Sequence, residues 1–214
     1  MRKQTFVVAA CIAALVIPTL SWAEDTDQTR FYVGVKLGAP FWLSDPTEQV
    51  SARSATEPTF NVVGGLNFGK HFGVELAYDY METELEFGGV GKIGEYSLWT
   101  LIPQLRVRYP LDDGKWSPYF IGGVGVARTE FNDATQANTS VGFSGTDWSV
   151  IGSVGAGVSY FVANNISVDF ETKFLLGSAD VSIGGQAQSA TLNTVQVLIG
   201  VRLYFPEAKP APTK

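Results

Sequence analysis

Charge is scarce in this sequence: Asp, Glu, Lys and Arg make up 17% of the 214 residues, against about 25% in a typical soluble domain. Chemistry-bearing side chains are scarcer still. There is one cysteine, Cys11, and one histidine, His71, so one chain holds neither a disulfide nor a zinc set of Cys and His ligands. Beyond residue 23 no stretch approaches the ~18 consecutive apolar residues of a spanning helix. Long helical runs of Ala, Leu, Glu and Lys are missing as well. The formal net charge of -6 comes with no basic stripe, which speaks against nucleic-acid binding. What the chain does have is 23 glycines and 13% aromatic residues. That bias points to an all-β protein with an apolar exterior.

Residues 1–23 read as a cleaved signal peptide. Arg2 and Lys3 form a positive start, Phe6 to Leu20 an apolar core, and Ser21-Trp22-Ala23 places small residues at -3 and -1 of a cut after Ala23. Val8-Ala9-Ala10-Cys11 loosely resembles a lipoprotein box, but the apolar run continues well past Cys11. The run is also short for a retained membrane anchor. Removal deletes two positive charges, moving the net charge from -6 to -8, and deletes the cysteine. Residues 24–205 then form one domain, and 206–214 a Pro/Ala/Lys tail.

The signal through 24–205 is period two, with turn residues between segments. Phe31, Val33, Val35 and Leu37 alternate with Tyr32, Gly34, Lys36 and Gly38; the seventh segment sets Ile166, Val168, Phe170 and Phe174 against Ser167, Asp169, Glu171 and Lys173. Eight such segments are legible. In the glycine-rich fifth, Phe120, Val124 and Val126 are expected outward. The polar face carries Lys36, Glu75, Asp79, Arg106, Arg108, Asp169, Glu171, Lys173 and Arg202.

A soluble barrel turns its apolar face inward, whereas a membrane barrel turns it to lipid. Two features favour lipid. Aromatics end the apolar faces in pairs, Phe60/Phe68, Phe72/Tyr80, Trp99/Tyr109 and Trp148/Tyr160. At ~3.3 Å per residue and a tilt near 40°, these spans are roughly 20–30 Å high, bracketing the ~25 Å apolar band between aromatic girdles. Connections also alternate: short near 69–71, 110–115 and 162–164, long near 39–57, 82–94, 128–147 and 177–190. The expected architecture is a single closed antiparallel transmembrane β-barrel of eight strands, with short periplasmic turns and long extracellular loops. Past Tyr80 the lipid-side register gives Glu82, Glu84 and Glu86, so that strand should leave the bilayer there and stand above it as a hairpin. Pro103 removes a ladder donor in mid-strand, and a bulge or bend is expected.

Leu198-Ile199-Gly200-Val201-Arg202-Leu203-Tyr204-Phe205 resembles the terminal strand by which outer-membrane barrels are recognised for assembly, with Gly200, Leu203 and Phe205 as the signal. Ser117-Pro118-Tyr119-Phe120-Ile121-Gly122-Gly123-Val124-Gly125 is similar to a strand common in the OmpA/OmpX/OmpW-like small barrels, and Asp147-Trp148 with Val158-Ser159-Tyr160-Phe161 to the strand after it. The resemblance covers residues 30–205. It implies outer-membrane location, contact with lipid and lipopolysaccharide, insertion by the barrel-assembly machinery, and a monomer. It leaves activity open, because the superfamily holds anchors, adhesins, enzymes and narrow channels. The tail 206–214 resembles the start of the hinge leading to a peptidoglycan-binding domain.

Enzymes on such barrels resemble one another in using a histidine near an outer or lipid-exposed site. His71 falls in a tight turn beside Lys70 on the other side, so no catalytic residue is assigned, and neither metal nor cofactor is expected. The 112–114 stretch, Asp-Asp-Gly, reads as a turn. Gly152-x-x-Gly155-x-Gly157 and Gly122-Gly123-x-Gly125 lack the strand-to-helix step of a nucleotide loop. Five inward cations against four anions suggest mutual neutralisation rather than a one-sign selectivity ring. Counting from the rim pairs Glu75 with Arg106 and Asp169 with Arg202. Eight strands leave an interior just wide enough for side chains. The expected function is a non-enzymatic barrel with a structural or surface-interaction role and at most narrow permeability; the alternative is an OmpW-like channel for small apolar or zwitterionic molecules. The outer loops, rich in Ser, Thr, Asn, Gly and acids, are a solvated cap, a surface for a host ligand, or a site of divalent bridging to lipopolysaccharide.

Overall fold

In the computed structural model, residues 29–43, 50–52, 58–87, 91–111, 115–133, 145–183, 186–191 and 193–205 are described. The expected signal peptide 1–23, the 112–114 turn, the tail 206–214 and residues 134–144 of the 128–147 segment lie outside the described residues.

Alternating side chains of this kind suit an extended backbone whose two faces meet different surroundings, and ten strands result. They are β1 (Arg30–Trp42), β2 (Val50–Ala52), β3 (Thr59–Phe68), β4 (Phe72–Phe87), β5 (Gly91–Arg108), β6 (Trp116–Asp133), β7 (Gly145–Ala163), β8 (Ile166–Ile183), β9 (Gln186–Thr191) and β10 (Thr194–Phe205). Eight of them close a ring in the order β10-β1-β3-β4-β5-β6-β7-β8, with β8 pairing back to β10. Every pairing is antiparallel, and the seam runs from Phe31–Phe205 to Trp42–Thr194. Closure leaves no free edge along the ring's middle. The short β2 and β9 lie outside it, paired to the far ends of β4 and β8.

One end of the cylinder has tight connections: Gly69, at φ 64°, turns β3 into β4, and Asn164-Asn165 turns β7 into β8. The other end is extended. The β4–β5 ladder continues to Phe87–Gly91, past Glu82, so a hairpin stands beyond the barrel proper. Much of what the sequence suggests as long loops is therefore ladder: β6 reaches Asp133, β7 starts at Gly145, and β8 runs to Ile183. Glycine- and serine-rich composition reads as loop, whereas pairing with an already extended neighbour holds it as strand.

Of the bulge or bend expected at Pro103, no bulge forms. Leu101–Val126 and Gln104–Gly123 keep one register across it, so no extra residue is inserted; Ile102 and Pro103 lack partners on β6. A missing N–H deletes bonds without shifting the strand. The register shifts fall at Leu85/Glu86 and Phe161/Ala163 instead.

The two faces are sharply divided. Val33, Val35 and Leu37 point outward and are more than half exposed, as are Phe120, Val124 and Phe170. Lys36, Glu75, Asp79, Asp169, Glu171, Lys173 and Arg202 point inward and are at most 3% exposed. A protein that buries its ions and exposes its aliphatics has the inverse of a water-soluble core. No helix among the described residues is long and apolar enough to cross a membrane; strands would have to do it.

Candidate functional site

Among the described residues, polar and charged side chains converge in the lumen. Lys36 comes from β1, Glu75 and Asp79 from β4, Arg106 from β5, Asp169, Glu171 and Lys173 from β8, and Arg202 from β10. Each lands inside because it shares the parity of its strand's inward face. Four cations and four anions thus meet in one interior, with no net charge among the eight.

Arg202 is the hub. Its guanidinium lies 2.9 Å from Asp169 and 3.3 Å from Glu75, with Glu171 at 3.9 Å. The Asp169 contact is an ion pair without the alignment of a hydrogen bond. Lys36 donates to Glu171 at 2.6 Å, and Tyr119 donates to the same oxygen at 2.8 Å. Tyr32 donates to Glu75 at 2.7 Å. Further toward the hairpin end Lys173 donates to Asp79 at 2.5 Å, and Asp79 also accepts from Asn61 at 2.8 Å and Thr100 at 2.9 Å. Buried ions are tolerable only when paired and hydrogen-bonded in this way.

Glu75 does not pair with Arg106, contrary to the count from the rim. Across the β4–β5 ladder Arg106 stands opposite Gly73, and Glu75 opposite Gln104. Stagger thus puts Arg106 one inward position nearer the turn end. There it donates to Ser159 at 2.8 Å and to the Tyr204 hydroxyl at 3.4 Å, with its guanidinium 4.1 Å from the Tyr119 ring centre. Arg108 also stands apart from the eight-charge cluster. It is only partly buried and donates to the Gly69 carbonyl at 2.8 Å, fastening the β3–β4 turn.

Sequence reasoning missed the lumen tyrosines. Tyr32, Tyr119 and Tyr204 are 1% exposed and surround the two arginines; Arg202 lies 5.1 and 5.3 Å from the rings of Tyr32 and Tyr119. Their signal was parity, since all three sit on the charged face. It also missed an apolar layer on the hairpin side of Asp79 and Lys173. Met81, Leu98, Ile151 and Leu175 are wholly buried there. Tyrosines, ions and this layer follow one another along the lumen as buried side chains.

On the outer face, Phe60, Tyr80, Trp99 and Trp148 fall in one cross-strand row, with Arg128 between the two tryptophans. Arg128 stacks 4.8 Å from the Trp99 ring and pairs with Glu130. At the turn end Phe68 stands opposite Phe72, Tyr109 stacks on His71 at 5.7 Å, and Tyr160 packs on Trp116 at 4.6 Å. Aromatic side chains thus gather on the outer face toward both ends of the strands. His71 is exposed, with Nδ1 3.1 Å from the Arg108 carbonyl oxygen. Among the described residues no group of three or more His, Cys, Asp or Glu could hold a metal ion. Gly200, Leu203 and Phe205 lie on β10 at the seam, with Gly200 opposite Lys36 and Phe205 opposite Phe31.

The family model for the outer membrane protein beta-barrel domain matches residues 7–205. Neisserial surface protein A superposes with a TM-score of 0.55 at 15% identity, covering 81% of this chain and 96% of that one. The outer membrane protein OprG from Pseudomonas aeruginosa gives 0.55 at 14% identity, covering 84% and 96%. AlkL, an outer membrane protein solved in lipid bilayers, gives 0.51 at 17%, covering 90% and 96%. Identities this low establish the likeness of fold alone. No curated protein sequence matches the chain.

Proposed function

The chain belongs to the outer membrane protein β-barrel domain family, and on that footing we propose that it is a non-enzymatic barrel with a closed lumen, whose role lies in what it displays outside the cell. The family and fold place it in the outer membrane. On this reading residues 1–23 are the export signal, 206–214 a periplasmic tail, and β10 the strand presented to the assembly machinery. The tight turns face the periplasm, and the aromatic belts mark the two edges of the lipid, the outer one facing lipopolysaccharide.

One observation carries the closed-lumen reading. Seven buried ions are held in ion pairs across the interior, Arg106 is hydrogen-bonded to Ser159 and Tyr204 beside them, and an apolar layer caps them on the outer side. A conducting path would require ions to leave partners they hold at 2.5–3.3 Å, in an interior of low dielectric where an unpaired charge is costly. The competing reading, a narrow channel for small apolar or zwitterionic molecules, needs such a path.

Single-channel recording and liposome swelling on the refolded mature protein separate the two. We expect no stable open state, and swelling no faster than in protein-free liposomes. A reproducible open state of one size contradicts the closed lumen. In that case Glu75→Ala, which removes one of Arg202's partners, should change its conductance.

A further inference from the structure

Two cations at the turn end of the lumen stand outside its ion pairs. Arg106 and Arg108 are two residues apart on the inward side of β5, roughly 7 Å from one Cα to the other. Among the described residues no carboxylate pairs with either. The carboxylates of the adjoining lumen are engaged: Glu75 accepts from Tyr32 and Arg202, and Asp169 accepts from Ser167 and pairs with Arg202. Arg106 donates instead to the hydroxyls of Ser159 and Tyr204, and Arg108 to the Gly69 carbonyl. Neutral acceptors satisfy N–H groups without offsetting charge. Two like charges therefore lie close together with little water around them, which is costly.

Unfilled hydrogen-bonding capacity gathers at the same level. The Nε atoms of both arginines are buried without a partner, as are both amide atoms of Asn67 and the Ser117 hydroxyl. Asn67 and Ser117 are at most 1% exposed. Register sets these two on either side of Arg106. Gly73 stands opposite both Asn67 on β3 and Arg106 on β5. It has no side chain, and its Cβ position is 2.7 Å from Asn67 Oδ1, so the amide reaches over Gly73 toward Arg106. On the other side, Ser117 stands opposite Ser159, the residue that accepts from Arg106. Water answers the missing hydrogen bonds but leaves the charge. An oxyanion answers both, because one phosphate offers several acceptor oxygens to guanidinium N–H groups. The barrel wall separates this inward face from lipid headgroups, which leaves a freely diffusing anion as the occupant.

We propose that the turn end of the lumen binds a small oxyanion of the phosphate class, held by Arg106, Arg108, Asn67 and Ser117. On the orientation proposed above, it is reached from the periplasm. The site lies on the turn side of the ion pairs, and binding there needs no path across the barrel.

Calorimetric titration of inorganic phosphate tests this on the barrel expressed from residue 24, in nanodiscs of zwitterionic lipid, with sodium chloride holding the ionic strength. We expect saturable binding of one phosphate per barrel against the excess of chloride. Ser117→Ala should weaken it roughly threefold or more, the loss of one hydrogen bond, and Arg108→Gln roughly tenfold or more, the loss of a charged one. The Ser117 hydroxyl has no partner in the protein, so Ser117→Ala should leave the urea midpoint unchanged, which separates binding from folding. Mobility on unboiled gels confirms that each variant is folded. No saturable binding, or binding that either substitution leaves as tight (an adventitious ion only), would overturn the proposal. So would a barrel that binds phosphate only when begun at residue 29, for then the acidic residues of 24–27 fill the site themselves. Conductance enters none of these outcomes, so the closed-lumen reading stands or falls separately.

Discussion

Arg202→Leu should cost about 3–5 kcal/mol of folding stability, the usual penalty for removing one partner of a buried ion pair. Arg202 is fully buried and faces Asp169, Glu75 and Glu171. Leucine fills part of the space but leaves three carboxylates with one fewer cation. The loss should appear as a lower urea midpoint for refolding into vesicles. Removing Asp169 as well, as Asp169→Leu, should recover part of it, because three cations then face three anions again. A variant that refolds like the parent would show that water, not protein, neutralises the lumen.

Gly200→Val should be at least as damaging, through geometry instead of charge. A Cβ on Gly200 would lie 2.1 Å from the Val35 carbonyl oxygen and 2.6 Å from Lys36 Cα. Both are atoms of β1 across the closing seam, and backbone cannot swing aside as a side-chain tip can. We expect the cost to exceed the ~1–3 kcal/mol of ordinary overpacking, so that the compact band on unboiled gels is lost. Gly64→Val is the matched control. Gly64 lies on the outer face with nothing within 4 Å of its Cβ position, and that variant should fold like the parent. Gly200 thus has a packing role at the seam besides any part in recognition for assembly.

How much of this was legible depends on the scale of the feature. Which residues face inward was readable along single strands, because the period is two and the contrast between Phe170 and Glu171 is large. Registers between strands were not, since they depend on stagger around the ring. Asp169 and Arg202 do lie together, while Arg106, counted to the same depth as Glu75, sits nearer the turn end among Tyr119, Tyr204 and Ser159. The tyrosines looked like ordinary strand residues until three strands brought them around two arginines. Met81 and Leu175 were overlooked for another reason. They lie beyond the points where the apolar alternation was taken to end, although the ladders continue.

The most direct measurement is spin-label accessibility along β8, one label at a time from Ile166 to Leu175, in protein expressed from residue 24, a stretch that contains no cysteine. Labels at Val168, Phe170 and Phe174 should collide freely with oxygen dissolved in the bilayer. Those at Asp169, Glu171 and Lys173 should be shielded from oxygen and from a water-soluble nickel chelate alike. Nickel access at the second set would mean an open aqueous lumen, and oxygen access there would mean that the barrel is inside out.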